Sequence, residues 1–552
     1  MKKSFHASKG LLNSLYLSLV AFSLVCAGVV SCGSKGPAIL PPGAEKWPVV
    51  IIGAGAGGLG AGASLAQKGV KALVLEQHDK PGGYMTAFER GDYRFEVSLH
   101  MMDGLDENGA TRGALKKLGI FDRVKPIKLE PILRLVYPDL TIDVPSDLTA
   151  YRKVLGEKFP GSADGINKLF DELLAIGSAT EKLQKLQDGP FLLRLVKYPF
   201  VPFMAWDLIK NRNVTLKEIG DRYIKDPKAQ SAVFQLVNFL GLPASRASGA
   251  YFAIMWASYH KYGAYQFRGG SQSVSNALAE VIKEKGGEVR LNTRVEKILI
   301  ENGRAVGVET EKGQKIYADY VISNANGYST YIDLVGEQNL PQKFVKRIKA
   351  MEPGISVTEA YLGLNLDLAK IGLGGIGEIF YNPDYDAEGQ WKNNLAMKIE
   401  DKVSLGIALY SNTDPTCAPP GKSVVVLTLI TPYDWKDRWQ SGAGGTAYQD
   451  LKKQVGDRMI DIAEKTIPGI RKSIEVMEIG SPITMERYTL NYKGAFMGWA
   501  PTPKQSLLGR LFFTGPVKNL YQAGSYTFPG GGQSASLISG LMVGEMVAGK
   551  LK

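Results

Sequence analysis

Val49–Glu76 constrains this chain more than any other stretch: "VVIIGAGAGGLGAGASLAQKGVKALVLE". The apolar run Val49–Ile52 reads as a buried strand, and Gly53, Gly55 and Gly58 follow it in G-x-G-x-x-G spacing. The first glycine permits a tight turn, and the second lets the backbone approach a pyrophosphate. The third lets the next helix pack closely on the strand. Ala61, Gly62 and Ala63 extend that close packing. A second strand, "KALVLE", ends at Glu76, 23 residues after Gly53. A carboxylate at that place accepts hydrogen bonds from adenosine ribose hydroxyls. Strand, glycine turn, small-residue helix and acid-terminated strand in this order predict a dinucleotide site.

A second match to the same spacing serves as a control. "GLGGIG" (Gly372–Gly377) is followed by "EIFYNPDYDAEGQ", whose proline, glycine and polar residues cannot form the required helix. A loop or tight sheet bend is expected there. One dinucleotide unit alone implies no built-in NAD(P)H domain.

The N-terminus is a targeting segment by its pattern. Residues 1–31 carry Lys2, Lys3 and Lys9, no acid, and the uncharged, mostly apolar run Leu11–Val30. Val29-Val30-Ser31-Cys32 then resembles a bacterial lipoprotein signal, cleaved before a cysteine that becomes lipidated. An uncleaved signal anchor is the alternative, because about 20 apolar residues span a bilayer. Either way the chain is expected at a membrane, exported to the periplasmic side if Cys32 carries lipid. Cys26 and Cys417 are the other cysteines and His occurs four times, so neither a disulfide framework nor a multi-histidine metal site is expected. The net charge of +12 suits anionic surfaces, but no basic stripe interleaved with aromatics argues for nucleic acid.

With 552 residues the chain has room for several cores. Residues 32–47 form a Pro/Gly-rich linker. Residues 48–110 and 261–334 read as β/α, 111–260 as helical, 335–480 as sheet, and 481–552 as the return to the nucleotide unit with a final helix. Within the helical part, residues 190–212 combine large apolar side chains with Arg194, Lys197, Lys210 and Arg212. Two readings stand for it: an interfacial surface that dips into a membrane, or part of a core.

Past Glu76, "PGGYMTAFERGDYRFEVSLHMMDG" begins with the pair Gly82-Gly83. The pair resembles the second nucleotide motif of glutathione-reductase-type flavoproteins. With "QFRGGSQSVSNALAEVIKEKGGEVRLNTRVEKILIENGRAVGVET", "ADYVISNAN" and "LYQAGSYTFPGGGQSASLISGLMVGEMV", the chain resembles the phytoene desaturase, carotenoid isomerase and retinol saturase group. The resemblance implies an α/β fold. A Rossmann-like FAD-binding domain is interleaved with an α+β substrate domain that holds a mixed or antiparallel sheet and a helical portion. It implies FAD as cofactor, with Val295 pairing its backbone with adenine, Gly524 near the diphosphate and ribityl chain, and Gly531 and Gly532 near the flavin ring. Tyr84 departs from the pattern, since related flavoproteins often carry arginine there.

The resemblance also implies a long apolar polyene or lipid substrate, and an electron acceptor or donor that the residues do not identify. "FPGGGQSAS" places glycines before an apolar helix, so a helix N-terminus with its partial positive charge is expected at the flavin ring. His100 and Tyr262 are the acid/base candidates, with Glu96 beside the first and His260 beside the second. A flavin amine oxidase and a non-enzymatic prenyl- or lipid-binding protein on the same fold are the competing readings.

Overall fold

Val49–Ile52 is buried on both faces because it runs through the middle of a seven-stranded sheet. The structure, a computed structural model, describes residues 43–188, 201–399, 402–441 and 444–551. In that sheet Glu288–Arg290, Ala72–Leu75, Glu45–Ile52 and Lys315–Ser323 lie side by side in parallel. Leu520–Gln522 joins the C-terminal end of Lys315–Ser323 in parallel. Arg304–Thr310 and Val295–Glu301 extend its other half as antiparallel strands. Parallel strands buried on both faces require uninterrupted apolar runs, which "VVII" and "ALVL" supply. Three separate stretches of chain therefore build one nucleotide sheet.

The helix Ala56–Gln67 has almost no polar face and is buried along most of its length. Its small residues divide between neighbours. A Cβ on Gly58 would lie 2.0 Å from the Gly53 carbonyl oxygen, the close helix-on-strand approach expected of the third glycine. Gly62 faces Ile282 and Val74 instead. Gly57 and Gly60 serve the final helix, Gln533–Leu551. A Cβ at Gly540 would stand 2.1 Å from the Gly57 carbonyl, and one at Gly60 2.9 Å from the Leu537 carbonyl. Ser64 Oγ donates to the Leu541 carbonyl at 3.1 Å.

The second seven-stranded sheet runs Ile474–Gly480, Ser356–Leu364, Ser423–Thr431, Leu405–Ala408, Glu378–Tyr381, Leu133–Val136 and Thr141–Val144. It is antiparallel apart from the Glu378–Tyr381/Leu133–Val136 pair. Its last two strands correct the reading of 111–260 as helical. "LRLVYPDLTIDV" is two alternating runs around a Pro138-Asp139 turn, closed by the Tyr137 N–H on the Leu140 carbonyl at 2.8 Å. Pro126–Lys128 likewise joins a small sheet with Ala264–Phe267 and Met102–Asp103. The helical part that remains is built on Ala163–Asp188 packed along Gly249–Tyr262, with Phe170 and Trp256 ring centroids 4.6 Å apart. Gly372–Gly377 forms the turn that leads into Glu378–Tyr381.

Cys32, the expected targeting segment and most of the expected 32–47 linker lie outside the described residues, as does 189–200. Among the described residues no helix is long and apolar enough to cross a membrane. The helix-to-helix contact yields a first prediction. Gly540→Ala should lower stability by about 1–3 kcal/mol, since its methyl meets backbone that cannot swing away. Gly549→Ala, where nothing lies within 4 Å, should be neutral or slightly stabilising. Chemical denaturation of the two variants side by side measures the difference.

Candidate active site

The C-terminal ends of the parallel strands open onto one cleft. Gly53 leaves its strand at φ +87°, a conformation that favours glycine, and its N–H donates to the Leu75 carbonyl at 2.8 Å. The Gly82 N–H donates to the Ala54 carbonyl at 2.8 Å, so the second glycine pair is laid directly against the first turn. A Cβ on Gly83 would come within 3.3 Å of Gly55 Cα, and one on Gly55 within 2.7 Å of Asn324 Nδ2. Gly524 approaches the other side of the same amide, 2.4 Å from Asn324 Oδ1 by the same measure, and its N–H donates to Ser539 Oγ at 3.0 Å. Asn324 is thus the hub of the glycine walls. It lies in the quoted stretch "ADYVISNAN" but carries no spacing signal that marks it.

Glu76 is buried at the edge of this cleft. Its Oε2 accepts the Ala54 N–H at 2.7 Å and its Oε1 the His78 N–H at 2.9 Å. Burial raises its carboxyl above the ordinary value, and these N–H bonds oppose that rise. The Thr293 N–H donates to the Glu76 carbonyl at 2.7 Å, which brings Val295 to the same end. Gly53, Gly55, Glu76, Gly82, Gly83 and Val295 all line the cleft. Gly58 and Gly524 stand one layer behind it, where they set the approach of helix and strand.

Gly531 and Gly532 line the cleft further along, where the final helix begins. Their loop follows the cis Phe528–Pro529 bond and is gripped on both sides. A Cβ on Gly530 would lie 2.3 Å from the Tyr251 hydroxyl, and one on Gly531 2.2 Å from the Met497 carbonyl. The Tyr251 hydroxyl donates to the Gly531 carbonyl at 3.0 Å. Beyond this loop the cleft continues between Leu186, Val201, Leu208, Phe239 and Met255. The whole cavity holds about 1670 Å³, above the roughly 300–1,000 Å³ of a pocket for one small molecule. It has room for a dinucleotide and a second, apolar ligand.

His100 sits at the junction. Its Nδ1 is 3.0 Å from Glu378 Oε1, its Nε2 is 3.4 Å from Thr428 Oγ1, and its ring lies 5.9 Å from that of Phe239. Burial disfavours the imidazolium, but the carboxylates of Glu378, Glu359 and Glu96 outweigh it and raise the pKa of His100 above its ordinary value. Burial pushes Glu359 and Glu96 up to about 7. Tyr361 donates its hydroxyl to Glu359, and the Ser271 N–H and hydroxyl donate to Glu96. Glu378 escaped the sequence reading because it follows the spurious glycine match, and only sheet pairing carries it to His100.

The other candidates separate. Tyr262 lines the cavity at the end of its helix, beside the Lys261 ammonium 5.1 Å from its ring centroid, and makes no hydrogen bond or ring contact with His100. His260 turns away into the helical core, stacked on Tyr151 at 5.0 Å and against Trp256 at 4.6 Å. Burial drives its pKa down to about 3, so it is a neutral packing residue. Tyr84 lines the cleft with its ring edge-on to Phe496, 5.6 Å between centroids.

Residues 56–545 match the family described as "Flavin containing amine oxidoreductase". The chain belongs to that family. Among curated relatives it is 29% identical to a chloroplastic prolycopene isomerase of Daucus carota, covering 92% of this chain and 81% of the other. It is 27% identical to the all-trans-retinol 13,14-reductase of Homo sapiens, covering 88% and 83%. Among solved structures, wild-type putrescine oxidase bound to putrescine superposes with TM-score 0.59 at 16% identity, covering 92% of this chain and 99% of that one. An oxidoreductase from Methanosarcina mazei gives 0.58 at 17% identity, covering 92% and 100%. These structures share the fold, a Rossmann-like flavin-binding unit joined to a mixed-sheet domain. The amine oxidoreductase family uses a flavin, and the glycine walls, Glu76 and Val295 fit such a group: they line one cleft, and the bare backbone of Gly55 and Gly83 lets the two turns pack against each other and against Asn324, beside the Glu76 carboxylate.

Two outcomes are expected. Gly55→Val should leave a folded but nearly colourless protein, checked by the flavin-to-protein absorbance ratio and far-UV circular dichroism after reconstitution. Stability should fall from pH 5 to pH 8. Folded Glu96 and Glu359 hold their protons to about pH 7, while the unfolded chain releases them near about 4.3. His100, also raised, acts in the same direction. The folded state binds more protons through this window, so each rise in pH favours unfolding. Glu359→Gln should flatten the decline in melting midpoint.

Proposed function

We propose that this protein is an FAD-dependent oxidoreductase acting on a long apolar polyene or isoprenoid-like lipid by saturation, desaturation or cis–trans isomerisation. One observation carries the reading: the cleft lined by the glycine turns and Glu76 is also lined by Leu186, Val201, Leu208, Phe239 and Met255, and its volume of about 1670 Å³ has room for an apolar ligand beside a dinucleotide. The prolycopene isomerase and the retinol reductase among its relatives act, by their names, on molecules of this kind.

Bound flavin supplies the two-electron exchange. The chain supplies place and charge. Gly531 and Gly532 line the cleft and would bring backbone close to a bound ring, and the first turn of Gln533–Leu551 would offer N–H groups to negative charge there. Leu186, Val201, Leu208, Phe239 and Met255 hold an extended apolar chain and exclude water. His100 holds a proton at the boundary of the two compartments, with Glu378 gripping its Nδ1. In a saturation that proton goes to one carbon of the double bond, and in a desaturation the imidazole takes it back.

The reading extends to a membrane location through lipid on Cys32, with a signal anchor as the alternative. Val201–Met204 and Trp206–Asn211 support it. Val201, Ala205, Leu208 and Ile209 line the cavity, while Phe203 and Trp206 are 78% and 57% exposed on the outside. An apolar substrate can pass from lipid to cavity across this rim.

The test is reconstitution with FAD followed by incubation with cis-lycopenes, retinol and putrescine. A chromatographic product from a polyene is expected, with His100→Gln lowering turnover by roughly 100-fold or more at unchanged flavin content. Peroxide from putrescine with no polyene product overturns the reading in favour of an amine oxidase.

A further inference from the structure

Arg510 is 1% exposed, yet among the described residues no carboxylate pairs with it. Its guanidinium meets only carbonyls: Nη2 donates to Ser525 O at 2.8 Å and Trp499 O at 3.4 Å, and Nη1 to Gln505 O at 3.4 Å. Its Nε has no hydrogen-bond partner. Burying one charge of an ion pair without its partner costs several kcal/mol. Among the described residues, other fully buried charged groups are paired or held by N–H and O–H donors, as Glu378 is by His100 and Glu96 by Ser271 and Leu99. Arg510 is the exception, and its place accounts for it.

The guanidinium lies directly behind the cleft wall. Ser525, which accepts its shortest bond, lines the cleft, and so does Tyr251, whose ring centroid is 5.9 Å from Arg510 Cζ. The same Tyr251 donates to the Gly531 carbonyl at the start of the final helix. Tyr526 and Trp499, with ring centroids 5.2 Å apart, cover the charge, and neither the Tyr526 hydroxyl nor Trp499 Nε1 has a partner. The cation is therefore buried and neutralised by no carboxylate among the described residues, with Tyr251 between it and the Gly531 carbonyl.

We infer that Arg510 is a positioning residue for charge: a permanent buried cation whose missing counter-charge is the negative charge that a flavin takes on when reduced. Reduced flavin loses the N1 proton readily, and in a low-dielectric setting a cation behind the wall favours that anion. Arg510 touches neither flavin nor substrate. It acts through the Ser525 backbone and the Tyr251–Gly531 contact, and in concert with the partial positive charge of the helix N-terminus. Lysine in its place keeps the charge but loses the fork geometry. The inference rests on the flavin in the proposed function and not on the polyene.

The experiment compares FAD-loaded wild type, Arg510→Gln and Arg510→Lys without any substrate. Midpoint potential is read by dye equilibration, and sulfite affinity by bleaching of the oxidised flavin. Sulfite adds to the ring through its own electron pair, nothing leaves, and the adduct carries the added negative charge. Arg510→Gln should show a more negative potential and sulfite binding weakened by roughly tenfold or more, while Arg510→Lys stays within roughly threefold of wild type. An Arg510→Gln protein that holds flavin with unchanged potential and sulfite affinity overturns the inference. Should that variant fail to hold flavin, the wild type decides. Its anaerobically reduced flavin should show the anionic spectrum down to about pH 6, and the neutral reduced spectrum there overturns the inference. Failure to find polyene turnover leaves these readouts intact, whereas a wild type that takes up no flavin overturns both readings.

Discussion

The backbone contact between the first and last helices governs everything else in this molecule. The Gly57 carbonyl stands where a side chain at position 540 would be, and the Leu537 carbonyl close to where one at position 60 would be. Two helices this close leave no room for adjustment, so the final helix has one position along the first. That position puts Gly531 and Gly532 at the cleft and the helix N-terminus beside them. It also pins Ser539 under Gly524, whose approach to Asn324 shapes the remaining wall.

What could be read from the sequence was whatever depends on short spacing. The Gly53/Gly55/Gly58 turn and Glu76 lie within one strand–helix–strand unit, and each residue type answers a local steric or hydrogen-bonding need. The false match at Gly372–Gly377 was separable on the same ground, since no helix follows it. What escaped depends on pairing across long stretches. Leu133–Val136 and Thr141–Val144 are short, and they become strands because Glu378–Tyr381 offers an edge. Glu378 reaches His100 from 278 residues away, and Asn324 gathers glycines from both ends of the chain. His260 and Tyr262 look equivalent in "SYHKYG". Two residues of helix turn one into the core and the other towards the cavity.

The charges in the interior are arranged by compartment. On the sheet side, Glu359, Glu378 and Glu96 surround one imidazole, and the excess of carboxylates is relieved by retained protons and by donors from Tyr361 and Ser271. Behind Ser525 and Tyr251, Arg510 stands with only carbonyls and aromatic rings about it among the described residues. Both arrangements are electrostatically strained when the cleft is considered without its ligands, and the strain has opposite sign in each. The proposed function would use both, the first for a proton and the second for the charge of a reduced flavin.

The three-part origin of the nucleotide sheet has a consequence for how the protein comes into being. Ser64 and Leu541, in direct contact, are 477 residues apart in the chain. Closing a loop of that length is entropically slow, and the strand Leu520–Gln522 and the helix Gln533–Leu551 are made long after the units they pack on. Until they dock, Lys315–Ser323 lacks the Leu520–Gln522 partner at its C-terminal end, and the apolar helix Ala56–Gln67 lacks its cover. The nascent chain thus carries an exposed sticky surface until those two elements are made and dock. The cleft is correspondingly completed late: a chain without residues 531–551 would keep the Gly53/Gly55/Gly58 turn and Glu76 but lack the opposite wall.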